Sequence, residues 1–303
     1  MTRSVSSQSK QDVTRRNFVS AGALGLLLTS YSLPLFSAEL PRVQVWKVSK
    51  GGRAAYVLGE SLPRTVDWQD PDVQALLTNC GRLWTETNQT YRESTDALVK
   101  KFGMSADASP LGALSTEQMA RLRAAAVRTQ TSLGDLAGAR PWLVGATLED
   151  AGYRAAGLNG RSASTTLRAQ AIAGGIPVST EFPLKDDVFA WFGEMTPDED
   201  AQFLCYAVDG VLLGLSGSEQ ISSAWASGRP GPAARFVEHE RRDYPALYRK
   251  LTLARNRSWL PRFELMTKDA KPALVVVGLY HLVGPDSLLV LLQQAGFTVS
   301  KGI

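Results

Sequence analysis

The apolar positions of this chain fall in short blocks whose spacing switches between two and three-to-four residues. Residues 43–48 (Val-Gln-Val-Trp-Lys-Val) alternate apolar and polar, the pattern of a strand with one buried face. Gly51-Gly52 supplies a hairpin turn, and residues 54–59 form a second strand. Pro71 opens a helix with Asp70 as its N-cap. Residues 82–88 make a short strand carrying Glu86 near its end. The middle of the chain has helical spacing: residues 116–127 behind a Ser115 cap, 141–151 opening on Pro141, and 167–173. After Gly174-Gly175 a strand closes on Glu181. Residues 198–213 follow as a long helix whose acidic first turn suits the helix dipole. Residues 228–232 read as a linker, and 244–263 as largely helical.

The last block has a different pattern. Ala273-Leu274-Val275-Val276-Val277 is an unbroken aliphatic run, the mark of a strand buried on both faces in a parallel sheet. Gly278 ends it, and His281, one of two histidines, follows three residues later. Gly284-Pro285 then turns the chain into a helix at 287–292, and residues 297–299 form a closing strand. His281 is therefore placed just beyond a strand's carboxyl end, where open α/β sheets gather ligands. Together the blocks predict a mixed α/β (α+β) fold: a central, largely parallel sheet with a helical middle insertion.

Charge changes this picture only at the N-terminus. Residues 1–38 hold Arg3, Lys10, Arg15 and Arg16 against Asp12, a net +3 of the chain's +4, so the remainder carries +1. No basic stripe with interleaved aromatics is present, which argues against a nucleic-acid partner. Arg15-Arg16 stands before a weakly apolar run diluted by Gly22 and Gly25, the pattern of a twin-arginine export signal. The expected organisation is an export signal over residues 1–38, with Ser37-Ala38 offered for cleavage, and one domain over 39–303. The expected location is periplasmic or secreted, with membrane attachment only through an uncleaved signal. Cys80 and Cys205 lack any metal or paired spacing and lie among apolar neighbours in helix-like segments, so both are expected buried and unpaired.

The candidate chemistry sits at the strand ends: Glu60 with Ser61, Glu86, Glu181 and His281. Carboxylates with one imidazole suit manganese, iron or zinc, and such an ion activates water for hydrolysis. His239, within Glu238-His239-Glu240-Arg241-Arg242, is most simply on a solvated helix face.

The ordered series Val45-Trp46-Lys47-Val48, Tyr56-Val57-Leu58-Gly59, Asp67-Trp68, Trp84-Thr85-Glu86, Pro141-Trp142, Arg255-Asn256 and Gly278-Leu279-Tyr280-His281-Leu282-Val283-Gly284-Pro285-Asp286 resembles the TraB/GumN family, which is related to the TIKI metalloproteases. The resemblance spans the chain from about Val43 to its end. It implies a TIKI-like architecture and a metal-dependent hydrolytic site built from two Gly-x-x-His motifs and a glutamate. Glu86 matches that glutamate, His281 the second histidine, Arg255-Asn256 an Arg-Asn pair, and Glu181 a glutamate after the Pro-Val strand. The first motif is broken: it reads Gly59-Glu60-Ser61-Leu62, with leucine in the histidine's place. Glu60, two residues earlier on an extended strand, would then be the substitute ligand. The implied metal set is Glu60, Glu86 and His281, holding manganese or zinc. The implied catalytic set is Glu86, His281 and Arg255, with Arg255 steadying an oxyanion. Two functions follow from the resemblance. One is an exported, degenerate metal-dependent hydrolase of peptidase type, acting on a peptide or small molecule. The other is a non-catalytic relative that binds a peptide, a saccharide or a partner protein.

Overall fold

The computed structural model describes residues 45–61, 63–88, 90–107 and 110–303, with Leu215 and Ser216 described by their backbone alone. The export segment with Arg15 and Arg16, and the Leu62 position of the broken motif, lie outside these residues. The described chain runs β1 (Val45–Lys50), β2 (Arg53–Glu60), α1 (Pro71–Thr78), β3 (Arg82–Thr87) and α2 (Thr95–Leu98), which continues into a π turn over Val99–Gly103. Next come α3 (Thr116–Thr129), α4 (Pro141–Ala155), α5 (Ala163–Ala173), β4 (Val178–Phe182), α6 (Lys185–Gly193), α7 (Pro197–Ala226) and α8 (Gly231–Asp243). The last part is α9 (Pro245–Tyr248), a π segment over Arg249–Ala254, α10 (Arg255–Met266), β5 (Ala273–Gly278), a 3-10 turn over Leu279–Leu282, α11 (Leu288–Gln294) and β6 (Thr298–Lys301).

The strands form one six-stranded sheet in the order β4-β3-β5-β2-β1-β6. β4, β3, β5 and β2 are mutually parallel, while β1 pairs antiparallel with β2 and β6. β5 is flanked by parallel neighbours on both sides, which is why its sequence is aliphatic without alternation. Leu274 and Val276 face a layer that includes Val73, Leu77 and Leu167 from α1 and α5. Ala273, Val275 and Val277 face Trp259 and Phe263 of α10 and Leu288 and Leu292 of α11. Each fully buried aliphatic side chain contributes about 1.5–3 kcal/mol. β1 departs from the expected two-residue alternation: Val45 is buried in the layer of α1 and α5, while Val48, with Trp46 beside it, is buried in the layer of α10 and α11, so this strand too is covered on both faces.

A second body of packing is wholly helical. α3, α4 and α7 bury Leu122, Trp142, Leu143, Leu148, Leu204 and Val208 against one another. The N-caps act where the sequence places them: Asp70 accepts from the Val73 N–H, and Ser115 forms a reciprocal capping box with Gln118.

Three further expectations are corrected. The helix expected over 198–213 continues to Ala226, broken only at Gly214, where the backbone turns to φ 74° and ψ −177°. The expected linker at 228–232 already contains the first two residues of α8, Gly231 and Pro232. Cys80 is buried but lies just past α1 rather than within a helix, and Cys205 is half-buried; both are free thiols. No described helix is long and apolar enough to cross a membrane.

Candidate functional site at the strand ends

The four parallel strands bring their carboxyl ends to one rim, which carries Glu181, Glu86, Gly278 and Glu60. Pleating then divides these groups between the two faces of the sheet. Glu86 lies two residues beyond Trp84, on the face covered by α10; Glu60 lies two beyond Leu58, on the face covered by α5.

On the α10 face the polar groups form a closed network around Arg255. Its Nη2 donates to Glu86 Oε2 at 2.6 Å and to Glu181 Oε2 at 2.5 Å. Its Nε donates to both Glu181 oxygens, at 3.2 and 3.1 Å. Its Nη1 lies 3.3 Å from His281 Nε2. The remaining Glu86 oxygen accepts from the Gly278 N–H at 2.6 Å. Trp259, Phe182 and Trp191 surround the guanidinium with ring centres 5.1, 5.7 and 5.7 Å away, adding cation–π attraction.

Asn256, fully buried, organises the histidine. His281 Nδ1 lies 2.8 Å from Asn256 Oδ1, while Asn256 Nδ2 donates to the Asp286 carbonyl at 2.9 Å and to the His281 carbonyl at 3.4 Å. The Asn amide is thereby anchored with its oxygen towards the ring. This network assigns the Nδ1–H tautomer, with the Nε2 lone pair turned to Arg255. The Arg-Asn pair thus clamps the carboxylates with one residue and orients the imidazole with the other. A π segment immediately precedes the pair and sets its register on α10.

The electrostatics follow from these contacts. Burial alone would raise the Glu86 pKa, but Arg255 and the Gly278 N–H outweigh it and hold it at about 2. Burial pushes His281 down to about 3; Glu86 opposes this and Arg255 adds to it, so the ring is neutral. The two carboxylates keep Arg255 charged against the cost of its burial.

Glu60 has other partners. Its carboxylate accepts from the Ser164 N–H at 2.7 Å and the Ser164 hydroxyl at 3.0 Å, at the first turn of α5. Burial raises its pKa, the serine hydrogen bonds oppose that, and Glu86 adds to it. Glu60 and Glu86 both reach a cavity of about 240 Å3 over the rim, lined also by Ser61, Thr87, Ser164 and Tyr280. They enter it from opposite faces of the sheet.

Two features of the rim were not foreseen. Trp225, near the end of α7, donates its indole N–H to the Gly59 carbonyl at 2.9 Å. A Cβ on Gly59 would lie 2.3 Å from that indole, so Gly59 is required for close approach rather than for a turn. Tyr248 ties the loop after His281 by donating to Asp286 Oδ2 at 3.0 Å. His239 also departs from the solvated face expected of it: its Nε2 lies 3.2 Å from Asp209 of α7 and its Nδ1 2.5 Å from Asp243.

The rim therefore brings Glu86, Glu181, Arg255 and His281 together and leaves Glu60 apart. Among the described residues no group of three or more His, Cys, Asp or Glu side chains is placed to share a metal ion. The expected set of Glu60, Glu86 and His281 does not fit such an ion in this arrangement. Glu60 is turned to α5, His281 directs its available lone pair at Arg255, and the guanidinium lies where a cation between Glu86 and His281 would lie. Arg255 is equally committed, with each of its nitrogens facing an acceptor, so the oxyanion role expected of it would require breaking the network.

A model of the TraB/PrgY/gumN family matches residues 44–301 of the chain. No curated protein and no solved structure matches it.

Proposed function

The chain belongs to the TraB/PrgY/gumN family, and from that premise we propose that its strand-end cleft binds a ligand without metal-dependent hydrolysis. One observation carries this reading. Arg255 supplies the positive charge between Glu86, Glu181 and His281, and each of those groups already has a protein partner. The cleft itself offers the Glu60 and Glu86 carboxylates and the hydroxyls of Ser61, Thr87, Ser164 and Tyr280. Such a lining favours a small ligand rich in hydrogen-bond donors, of the saccharide or peptide-amine class.

The alternative is the metal-dependent, peptidase-like hydrolase. It draws support from the meeting of Glu86, Arg255 and His281 at the carboxyl ends of parallel strands, beside a cavity. Metal analysis of the purified protein, with melting curves in manganese and zinc, separates the two. The binding reading expects no stoichiometric metal and equal responses from wild type, Glu60→Ala and Leu62→His. A tightly bound ion that is lost in His281→Ala, or a metal-dependent rise confined to Leu62→His, would favour the hydrolase. Saturation at about a hundred times the Kd would add about 2.7 kcal/mol, well within reach of the measurement.

A further inference from the structure

The helical half contains a cavity of about 330 Å3, larger than the one at the strand ends. It lies between α4 and α7 and is closed at one end by Phe236 of α8 and by Tyr280. Tyr280 also lines the strand-end cleft, so it is a shared wall between the two. The Phe236 and Tyr280 rings stack with centres 4.9 Å apart and planes inclined by 18°, and Tyr206 meets Phe236 edge-on at 5.6 Å.

The space comes from missing side chains. Gly210 of α7 faces the cavity, and the nearest atom to a Cβ built there is Glu149 Oε1, at 4.0 Å. Gly214 breaks α7 at the same wall and lets the Arg128 guanidinium approach, with Arg128 Nη1 donating to the Leu212 carbonyl at 3.0 Å. Arg128 is thus occupied at the cavity's edge.

Glu149 of α4 gives this cavity, lined mainly by aromatic and aliphatic groups with Arg128, Thr129 and Ser218 on its wall, its one carboxylate. Among the described residues, no hydrogen-bond donor and no cationic side chain is paired with it. A carboxylate facing a largely apolar, aromatic cavity without a cation paired to it is costly, Arg128 being held to the Leu212 carbonyl, and a ligand ammonium supplies both the charge and the donors it lacks. The phenol rings around it present faces that attract the same cation.

We propose that this cavity is a second binding site, distinct from the strand-end cleft, and that it takes a small amphiphilic amine, with the ammonium on Glu149 and the apolar body against Tyr206, Phe236 and Tyr280. The electrostatics of the pocket agree. Burial, with a smaller contribution from Asp150, pushes the Glu149 carboxyl up to about 7, so a cation beside it has a large effect to relieve. Glu240 of α8, buried nearby, is likewise pushed up to about 7 by burial, so neither of these two carboxyls has a paired cation among the described residues.

Titration calorimetry on the full chain at about pH 8 tests this with three probes of one shape: tryptamine, tryptophol and indoleacetate. One tryptamine should bind per chain, tryptophol about tenfold more weakly, and indoleacetate not detectably. Glu149→Gln should weaken tryptamine about tenfold and leave tryptophol unchanged. Gly210→Leu, which fills the open space on a helix where leucine is a better former than glycine, should abolish binding of both without lowering the melting temperature. Glu60→Gln, outside this cavity's lining, should leave the tryptamine affinity as it is in the wild type. The inference fails if the three probes bind alike, if none binds at millimolar concentration, or if Glu149→Gln leaves tryptamine unaffected. Loss of tryptamine binding in Glu60→Gln would place the amine in the strand-end cleft instead, overturning the second site while leaving the proposed binding function of that cleft intact.

Discussion

The strand-end rim and the helical cavity both bury carboxylates, and they treat them in opposite ways. At the rim Glu86 and Glu181 share one guanidinium, and Glu86 is held at about 2. In the helical half Glu149 and Glu240 have no paired cation among the described residues, and burial lifts each to about 7. Burial is common to both regions, so partnership decides the sign of the shift. The rim is electrostatically complete by itself, and its parts are hard to remove singly. The cavity is incomplete, which is the condition in which a ligand gains most.

The largest test of this contrast is removal of the shared cation. Arg255→Leu leaves Glu86 and Glu181 buried without compensation and should cost about 3–5 kcal/mol in urea unfolding. Adding Glu86→Gln and Glu181→Gln should recover a substantial part of that loss. A single mutant within about 0.5 kcal/mol of wild type would mean that the network is not what holds the rim.

The next effect is one of pH. His281 has a folded pKa of about 3, below its ordinary value, so the unfolded chain binds the extra proton first as pH falls. Its contribution to stability is complete above about pH 6.5 and is lost towards pH 3, at up to about 1.4 kcal/mol per pH unit. Glu86, depressed to about 2, acts in the same direction but only below about pH 4.5. His281→Gln should therefore flatten the stability curve between about pH 6.5 and 4.5, whatever it does to the absolute value. An unchanged slope would show that the folded and unfolded chains bind this proton equally, and so that burial does not hold the ring neutral.

The smallest effect has the opposite sign and belongs to the cavity. Glu149 has a raised folded pKa, so its ionisation weakens the fold as pH rises from about 4.5 towards 7. Glu149→Gln should be stabilising by about 1 kcal/mol at pH 8, after allowance for access through the cavity, and neutral at pH 5. Stabilisation of equal size at both pH values would assign the gain to packing rather than charge.

Much of the sheet was legible in the chain because its cause is local. β5 is buried on both faces, and that demand is written as an uninterrupted aliphatic run; β1 was read as buried on one face, but Val45 and Val48 enter opposite layers, which the alternation did not show. Glu86, His281 and the Arg255-Asn256 pair stood out through their motifs, and the parallel strand order does bring their elements to one rim. Less local features were misread. The Gly214-rich stretch of α7 has the composition of a helix end. The helix resumes beyond it, and near its end Trp225 docks on Gly59 and beside Trp46 with ring centres 5.5 Å apart, contacts that local composition does not show.

The sequence by itself determined that the 273–277 strand is central, where the carboxyl ends of the strands fall, and that acidic and imidazole groups stand there. Only the tertiary structure decided which of those groups meet. Glu60 belongs to α5 and Glu86 to α10 because the register of β2 and β3 against β5 puts them on opposite faces, and register is a property of paired strands rather than of either alone. The same holds for Glu149 and Glu240. Each is a carboxylate on a helix, indistinguishable in the sequence from a solvated one, and only the packing of other helices over it removes the water that would have kept its pKa ordinary.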